Sequence, residues 1–426
     1  MWKCNNCGYK AVKWLGKCPQ CNLFNSFIKE DTENKEVQDI DADKLIIQIN
    51  DEENTEKIKE KARLITNISE LDYVLGGGIY KGSVILLTGD PGVGKSTLAL
   101  QIASQFNSLY IAGEESISQV RERIKRLDIK GEKLFLANTN EINQICKAVK
   151  INKNKFNLII FDSLQTITDE TVEGVYGGIA QMKAIIYKII NLAKQTNIPI
   201  IVISHITKDG KIYGPKIVEH LVDVVLYLEY IDFDIRILRS LKNRYGNSFE
   251  IGLFKMTPKG LLPIPSINNY IQYVQEPSIG VVKSIIIEGT RPLLVEVQSL
   301  TNRSYYNYPI RNVNGYDLNR LNMILAVMEK YLNIKMRSYD INTNITGGLK
   351  VRDRDLDLAI LVSLFSSYNN IPIEQQIAFI GEIGLNGYIY RNNYYDYKCN
   401  EARKYGMTCF ESTRNIVEAI NKLKNK

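Results

Sequence analysis

"SVILLTGDPGVGKST", Ser83–Thr97, decides how the chain folds. A short apolar run enters a glycine turn, and Gly89–Thr97 satisfies G-x-x-x-x-G-K-[ST] just where a helical pattern begins. Gly92 and Gly94 let the backbone curl until its N–H groups face a phosphate. The helix start adds a field that favours an anion. Lys95 supplies a point charge for the β- and γ-phosphates, and Ser96 a hydroxyl for Mg2+. Gly89, Asp90, Pro91, Gly92, Val93, Gly94, Lys95, Ser96 and Thr97 are therefore the candidate ATP cradle.

The flanking sequence supplies the rest of an ATPase. "SVILLTG", "LYIAGEE", "NLIIFDS" and "IPIIVISH" are short apolar runs of the kind buried in parallel sheets. Helical patterns such as "GKSTLALQIASQF" and "GGIAQMKAIIYKIINLAKQT" separate them, which predicts a wound α/β sheet. "DVVLYLEY", "DIRILRSLKN" and "FEIGLFKM" follow with short turns and predict antiparallel strands at one edge. Asp162 ends one strand, where a carboxylate joins Ser96 as a candidate Mg2+ ligand. Glu114 and Glu115 lie just past the strand after the P-loop helix, where one carboxylate can orient and deprotonate attacking water. Glu114 is favoured; Glu115 stays open. Ser204 and His205 end a further strand, where a polar side chain can sense the γ-phosphate.

The head of the chain has different chemistry. Cys4, Cys7, Cys18 and Cys21 read C-x2-C-x10-C-x2-C, a spacing that places four thiolates around Zn2+. Gly8 follows the first pair as tight knuckles often require, whereas Asn22 occupies the matching place after the second. So short a segment cannot build a core, so metal binding would supply its folding energy. All four positions are filled by protein, which predicts a structural site. Cys146, Cys399 and Cys409 are scattered and read as buried or incidental thiols.

Residues 1–29 hold five lysines and no acid, whereas residues 30–60 sum to −8. The whole chain is +7, so everything outside that acidic linker sums to +15, a balance that fits a polyanion partner. No apolar run reaches the roughly 18 residues needed to span a membrane, and "MWKCNNCGYK" has no apolar signal core. These features predict a cytoplasmic protein. The expected order is a four-cysteine finger over 1–29, a linker over 30–60, an ATPase domain over 61–262 and a separate α+β domain over 263–426. In the last, "GVVKSIIIEGTRPLLVEVQSL" predicts two strands about a Gly-Thr-Arg-Pro turn, with helices at "DLNRLNMILAVMEKYL" and "LDLAILVSLFSSY".

The finger with "GYKAVKWLGKCPQC", then "GDPGVGKSTL", "GEES" and "KNRYG", resembles the bacterial RadA (Sms) DNA-repair family in the same order over nearly the whole chain. The family pentapeptide is usually Lys-Asn-Arg-Phe-Gly; Tyr245 here keeps the ring. "HITKDGKIYGPKIVEHLVD" is similar as well. The resemblance implies a RecA-like P-loop core, a homohexameric ring, and a signature at Lys242, Asn243, Arg244, Tyr245 and Gly246 that couples ATP use to DNA. A cation near a subunit edge can reach the neighbour's γ-phosphate; a tyrosine with two cations can instead touch a single strand. Lys242 acting in trans on ATP is the first expectation and Arg244 the second. The last region resembles the Lon-protease fold that the family carries. Asp355 stands where the Lon nucleophile would fall and no serine is present, so no proteolysis is expected. Lys350, Arg352 and Arg354, on an expected strand, are candidate DNA contacts.

The leading expectation is a DNA-dependent ATPase that translocates on single-stranded DNA. It would promote branch migration of recombination intermediates together with RecA. An ATP-dependent protease and a nucleotide-switched binding protein are the alternatives. The finger can serve DNA or protein.

Overall fold

A computed structural model describes residues 2–29, 62–205, 216–231, 234–266, 273–305, 308–411 and 413–424. The predicted linker, 30–60, and residues 206–215 of the family-like tract lie outside the described residues. The chain divides into two compact units, Met1–Ile58 and Lys59–Lys426.

In the first unit a three-stranded antiparallel sheet (Trp2–Cys4, Lys10–Ala11, Phe27–Lys29) supports the cysteines. Cys4, Cys18 and Phe27 form its small buried centre. Asn22 adopts the left-handed conformation (φ 59°) that Gly8 adopts after the first pair (φ 76°). Asparagine is among the few residues that tolerate it, so the departure from glycine leaves the second knuckle intact.

The second unit is built on a nine-stranded sheet. Its strands are β1 (Val84–Gly89), β2 (Ser108–Ala112), β3 (Leu134–Ala137), β4 (Leu158–Asp162), β5 (Ile200–Ile203), β6 (Val224–Tyr230), β7 (Ile235–Asn243), β8 (Ile251–Thr257) and β9 (Gly260–Pro263). They lie in the order β9-β8-β7-β6-β1-β5-β4-β2-β3. Pairing is parallel from β6 to β3 and antiparallel from β6 through β9, as the sequence predicts. β1, β4 and β5 are buried throughout, so their continuous apolar runs are covered on both faces.

Helices α1 (Ser69–Val74), α2 (Lys95–Ala103), α3 (Ile117–Arg126), α4 (Ile142–Ile151), α5 (Ile179–Thr196) and α6 (Lys216–Leu221) accompany this sheet. α3 opens with a capping box in which Ser116 and Gln119 satisfy each other's backbone N–H. Asn197, at φ 56°, stops α5.

The last region has a six-stranded sheet: β10 (Val281–Glu288), β11 (Arg291–Arg303), β12 (Arg311–Asn314), β13 (Tyr339–Ile345), β14 (Ile377–Ala378) and β15 (Thr408–Cys409). Its order is β12-β13-β11-β10-β14-β15. Helices α7 (Leu318–Leu332), α8 (Asp357–Asn369), α9 (Tyr395–Lys404) and α10 (Ile416–Lys424) go with it. α8 is buried over Asp357–Ser367, which explains an apolar sequence with no polar face. One hydrophobic cluster joins α7, α8, β10 and β11 to Ile235, Ile237, Ile251 and Leu253 of β7 and β8. The antiparallel edge strands therefore belong to two cores at once.

Two expectations are corrected. Residues 350–353 form no strand; irregular backbone leads into a 3-10 turn, Arg354–Leu356. Alternation of Arg with Asp imitates a strand there, but the acids face buried partners. Cys399 and Cys409, read as separate thiols, are joined by a disulfide, because α9 returns the chain to β15 with the two Cα atoms 5.7 Å apart. Cys146 is free.

Candidate functional site

β1 delivers the chain into the P-loop, and α2 begins at Lys95 with Gly94 as its N-cap. Gly89 lies against β6: a Cβ there would sit 2.0 Å from the carbonyl oxygen of Leu228. Gly94 holds φ 112°, and a Cβ would meet the Met256 methyl at 2.5 Å. Gly89 excludes a side chain by space as well as by backbone angle, whereas at Gly94 the backbone angle decides, since the Met256 methyl can move aside. The loop borders a cleft of about 540 Å³, within the range of small-molecule sites. Gly92, Gly94, Lys95, Ser96 and Thr97 line its floor, Glu114, Glu115 and His205 one wall, and Met256, Thr257 and Pro258 another.

Lys95 is 5% exposed, and its ammonium donates to the carbonyls of Gly89 and Asp90 at 2.9 Å each. Burial pushes its pKa down, against the pull of Asp162, Asp90 and Glu114. These carbonyls hold the charge where phosphate oxygens can replace them. Asp162 is buried at the end of β4 and accepts a hydrogen bond from the Tyr110 hydroxyl. Burial, then the adjacent Asp162 charge, raises the Tyr110 pKa well above its usual value, so it stays a donor.

The two glutamates have different partners. Glu115 pairs with Arg123 of α3. Glu114 presents Oε1 to the Ser163 hydroxyl and, at 2.9 Å, to His205 Nε2. Ser204 receives the Gln165 amide at 2.9 Å, tying the end of β5 to the turn after β4. Glu114 and His205 thus face the cleft, with Ser163 buried behind the Glu114 carboxylate.

The pentapeptide lies elsewhere. Val224, at the start of β6, pairs with Ile85 and with Asn243, whereas Gly89 pairs with Leu228. Lys242 and Arg244 are therefore at the opposite end of the sheet from their own chain's cradle. Lys242 donates to the carbonyls of Glu219, His220 and Val222 at 3.0, 2.9 and 2.6 Å, closing the end of α6. Burial, then Arg244, lowers its pKa. Arg244 pairs with Asp223 at 3.2 Å, and the other oxygen of Asp223 accepts the Val84 N–H at the start of β1. Tyr245 stacks on Tyr80 with centroids 4.2 Å apart. The segment is a corner held by these contacts.

In the finger, the four sulfur atoms lie within 4.8 Å of one another, with Cys4–Cys21 at 3.6 Å and Cys7–Cys18 at 3.5 Å. Tetrahedral Zn–S bonds of about 2.3 Å need sulfurs roughly 3.8 Å apart, so the set fits zinc. In the last region Asp355 is buried, and its carboxylate pairs with buried Lys398, which also reaches Asp353 at 2.6 Å. Burial raises the Asp355 pKa and Lys398 opposes it. Lys350 and Arg352 are exposed and border a cleft of about 590 Å³ with Glu229, Arg239 and Glu288. Arg352 and Arg354 border a second of about 330 Å³ with Tyr316 and Arg320.

A family model described as an AAA domain matches residues 51–211, and one described as a rubredoxin metal binding domain matches residues 2–29. The DNA repair protein RadA of Helicobacter pylori (strain J99) is 41% identical over 415 residues, spanning 95% of this chain and 92% of that protein. The chain belongs to the RadA family. Members from Rickettsia bellii and Aquifex aeolicus are each 38% identical, covering 99% and 95% of this chain and 96% and 90% of their own lengths. Among solved structures, a KaiC-like protein from Pyrococcus horikoshii is 18% identical, with a TM-score of 0.40 over 48% of this chain and 99% of its own. The RadB recombinase is 22% identical, with a TM-score of 0.39 over 47% and 99%. Membership in the RadA family agrees with a nucleotide-binding α/β core and a metal-binding cysteine head. Among the described residues no helix is long and apolar enough to cross a membrane.

Sequence reasoning missed Tyr227, Tyr230 and Arg236, which touch the P-loop from β6 and β7. Arg236 had one signal: a cation flanked by Ile235 and Ile237.

Proposed function

We propose that the chain is a DNA-dependent ATPase of recombinational repair, a RecA-like motor that translocates on single-stranded DNA and promotes branch migration with RecA. One observation carries the reading: Lys95 and Glu114 line one cleft, with the Asp162 charge acting on Lys95, in a chain that aligns over 95% of its length with a DNA repair protein. ATP would lie on Gly89–Thr97. Ser96 and Asp162 would hold Mg2+, which neutralises charge on the β- and γ-oxygens. Glu114 orients water and takes its proton, while Ser163 and His205 fix the carboxylate. Lys242 and Arg244, remote from their own cradle, would serve the next subunit of a hexamer or a DNA strand.

Lys350, Arg352 and Arg354 supply an exposed cationic face for phosphates. The last region serves as a Lon-like scaffold without proteolysis, because Asp355 is locked to Lys398 rather than presented as a nucleophile. The test is ATP hydrolysis by the full chain with and without single-stranded DNA, beside Lys95→Ala and Glu114→Gln. Stimulation by DNA that both variants abolish supports the motor. Hydrolysis indifferent to DNA removes it and favours the nucleotide switch.

A further inference from the structure

Two peptide planes of the P-loop are gripped from outside the nucleotide cleft. Arg236 is 5% exposed, and its Nε donates to the carbonyl of Val93 at 3.2 Å. Its Nη1 donates to the carbonyl of Ile235 at 3.0 Å, and its guanidinium lies over the Tyr230 ring, 4.2 Å from the centroid. The Tyr230 hydroxyl donates to the carbonyl of Pro91 at 3.3 Å, and the Tyr227 hydroxyl to Asp90 Oδ1 at 3.1 Å. A trans peptide points its C=O and the following N–H in opposite directions. Drawing the Pro91 and Val93 carbonyls towards β6 and β7 therefore turns the N–H groups of Gly92 and Gly94 away, towards the cleft both glycines line. Burying a guanidinium is costly unless its donors are met. Here P-loop backbone meets one of them.

The same hairpin is seated in the last region. Ile235 and Ile237, either side of Arg236, are buried in the cluster built mainly from α7, α8, β10 and β11, and Ile231 packs against it. Gly348 approaches so closely that a Cβ would sit 2.4 Å from the Ile231 carbonyl oxygen. Arg239 bridges Glu229 of β6 to Glu288 of β10, the latter at 2.5 Å. Lys350 and Arg352 border the cleft containing that bridge. One face of β7 thus reads the position of residues 348–352, and the other sets the P-loop.

We infer that Arg236, stacked on Tyr230, is a positioning residue for ATP binding, and that the β6–β7 hairpin couples the cationic 350–354 segment to the phosphate cradle. The coupling half rests on the DNA-dependent reading above; the positioning half needs only ATP binding.

The experiment is steady-state ATP hydrolysis by the zinc-loaded full chain, with and without single-stranded DNA, for Arg236→Met, Arg236→Lys, Tyr230→Phe and Gly348→Ala. Thermal melts check folding. Arg236→Met is expected to raise KM for ATP about tenfold with a smaller change in basal kcat, the pattern of lost ground-state binding. Arg236→Lys recovers part of it, since the charge remains while the planar fork is lost. Tyr230→Phe removes one oxygen from an exposed ring and raises KM about threefold, which keeps the test open if Arg236→Met does not fold. Gly348→Ala reduces the stimulation by DNA, taken relative to its own basal rate, at least twofold. Wild-type KM in Tyr230→Phe and in any folded Arg236 variant overturns the positioning role. Full DNA stimulation in Gly348→Ala overturns the coupling. A wild-type protein that ignores DNA overturns the coupling together with the motor reading, while the KM comparison still decides the positioning role.

Discussion

If Lys242 acts on a neighbour's ATP, two inactive variants should restore each other. The register of β6 supplies the reason. Asn243, second residue of the pentapeptide, and Gly89 pair with residues four apart on that strand, so at about 3.3 Å per residue Asn243 lies roughly 13 Å along the sheet from its own cradle. The Lys242 ammonium points further off, onto carbonyls that precede β6. A lysine cannot close that gap within one chain. In a head-to-tail ring, each site takes its cradle and Glu114 from one subunit and Lys242 from the next. Lys242→Ala keeps the first set and Glu114→Gln keeps the second. In randomly mixed rings of equal composition, half the cradles are intact and half of their neighbours carry Lys242. With independent sites, about one quarter of wild-type hydrolysis returns, though each parent is nearly inactive. The two chains are co-expressed with different tags, doubly purified, and assayed with saturating ATP and single-stranded DNA; Arg244→Ala is run in parallel. Rates no higher than the mean of the parents refute action in trans. Lys242 would then be a helix-end clasp.

Lys398→Met strands two carboxylates, one of them fully buried, and should destabilise the last region by about 3–5 kcal/mol, measured by urea unfolding followed by far-ultraviolet circular dichroism. Asp355→Asn in the same chain should return part of that loss. Chelation of zinc should shift the fluorescence of Trp2 and Trp14, the only tryptophans, both within the finger, while leaving basal ATP hydrolysis in place. Asp169 is buried, which alone would raise its pKa, but Lys188 and Thr171 hold it down to about 2. A depressed carboxylate stabilises above its unfolded pKa and loses that contribution as pH falls through the folded one. Lys188→Met should therefore cost part of the roughly 2 kcal/mol that this shift represents at pH 7, Thr171 and Asn143 keeping the rest, with the difference from wild type closing between about pH 4 and pH 2.

The nucleotide site was legible because its chemistry is local. The P-loop, Glu114 just past β2 and Asp162 at the end of β4 are each read from a few consecutive residues. The finger was legible for the same reason, down to Asn22, which takes the turn that glycine would take. What escaped depends on register. Nothing near Arg236 in sequence shows that β6 lies beside β1, or that residue 236 faces a loop more than 140 positions earlier. The corner at Lys242–Gly246 was recognisable as a signature, but its partners, Tyr80, Asp223 and the end of α6, come together only through the sheet order. Alternation misled at 350–355, where buried pairing of Asp353 and Asp355 with Lys398 outweighs strand propensity.

The central sheet places three candidate sites at separate addresses. The phosphate cradle is at the C-terminal ends of the parallel strands, the pentapeptide at their N-terminal ends, and the cationic segment on the region seated against β7. The parallel strands keep the first two apart within one chain, so under the proposed trans action only a neighbouring subunit could bring them together. Antiparallel β7 makes the third possible, because it brings a strand from the last region's core back alongside the strand that touches the P-loop. A perturbation of residues 348–352 can therefore reach Gly92 and Gly94 within one chain, whereas Lys242 can reach phosphate only across a boundary. The two routes predict opposite behaviour in mixed rings. Defects at Gly348 stay with the subunit that carries them, and defects at Lys242 appear in its neighbour.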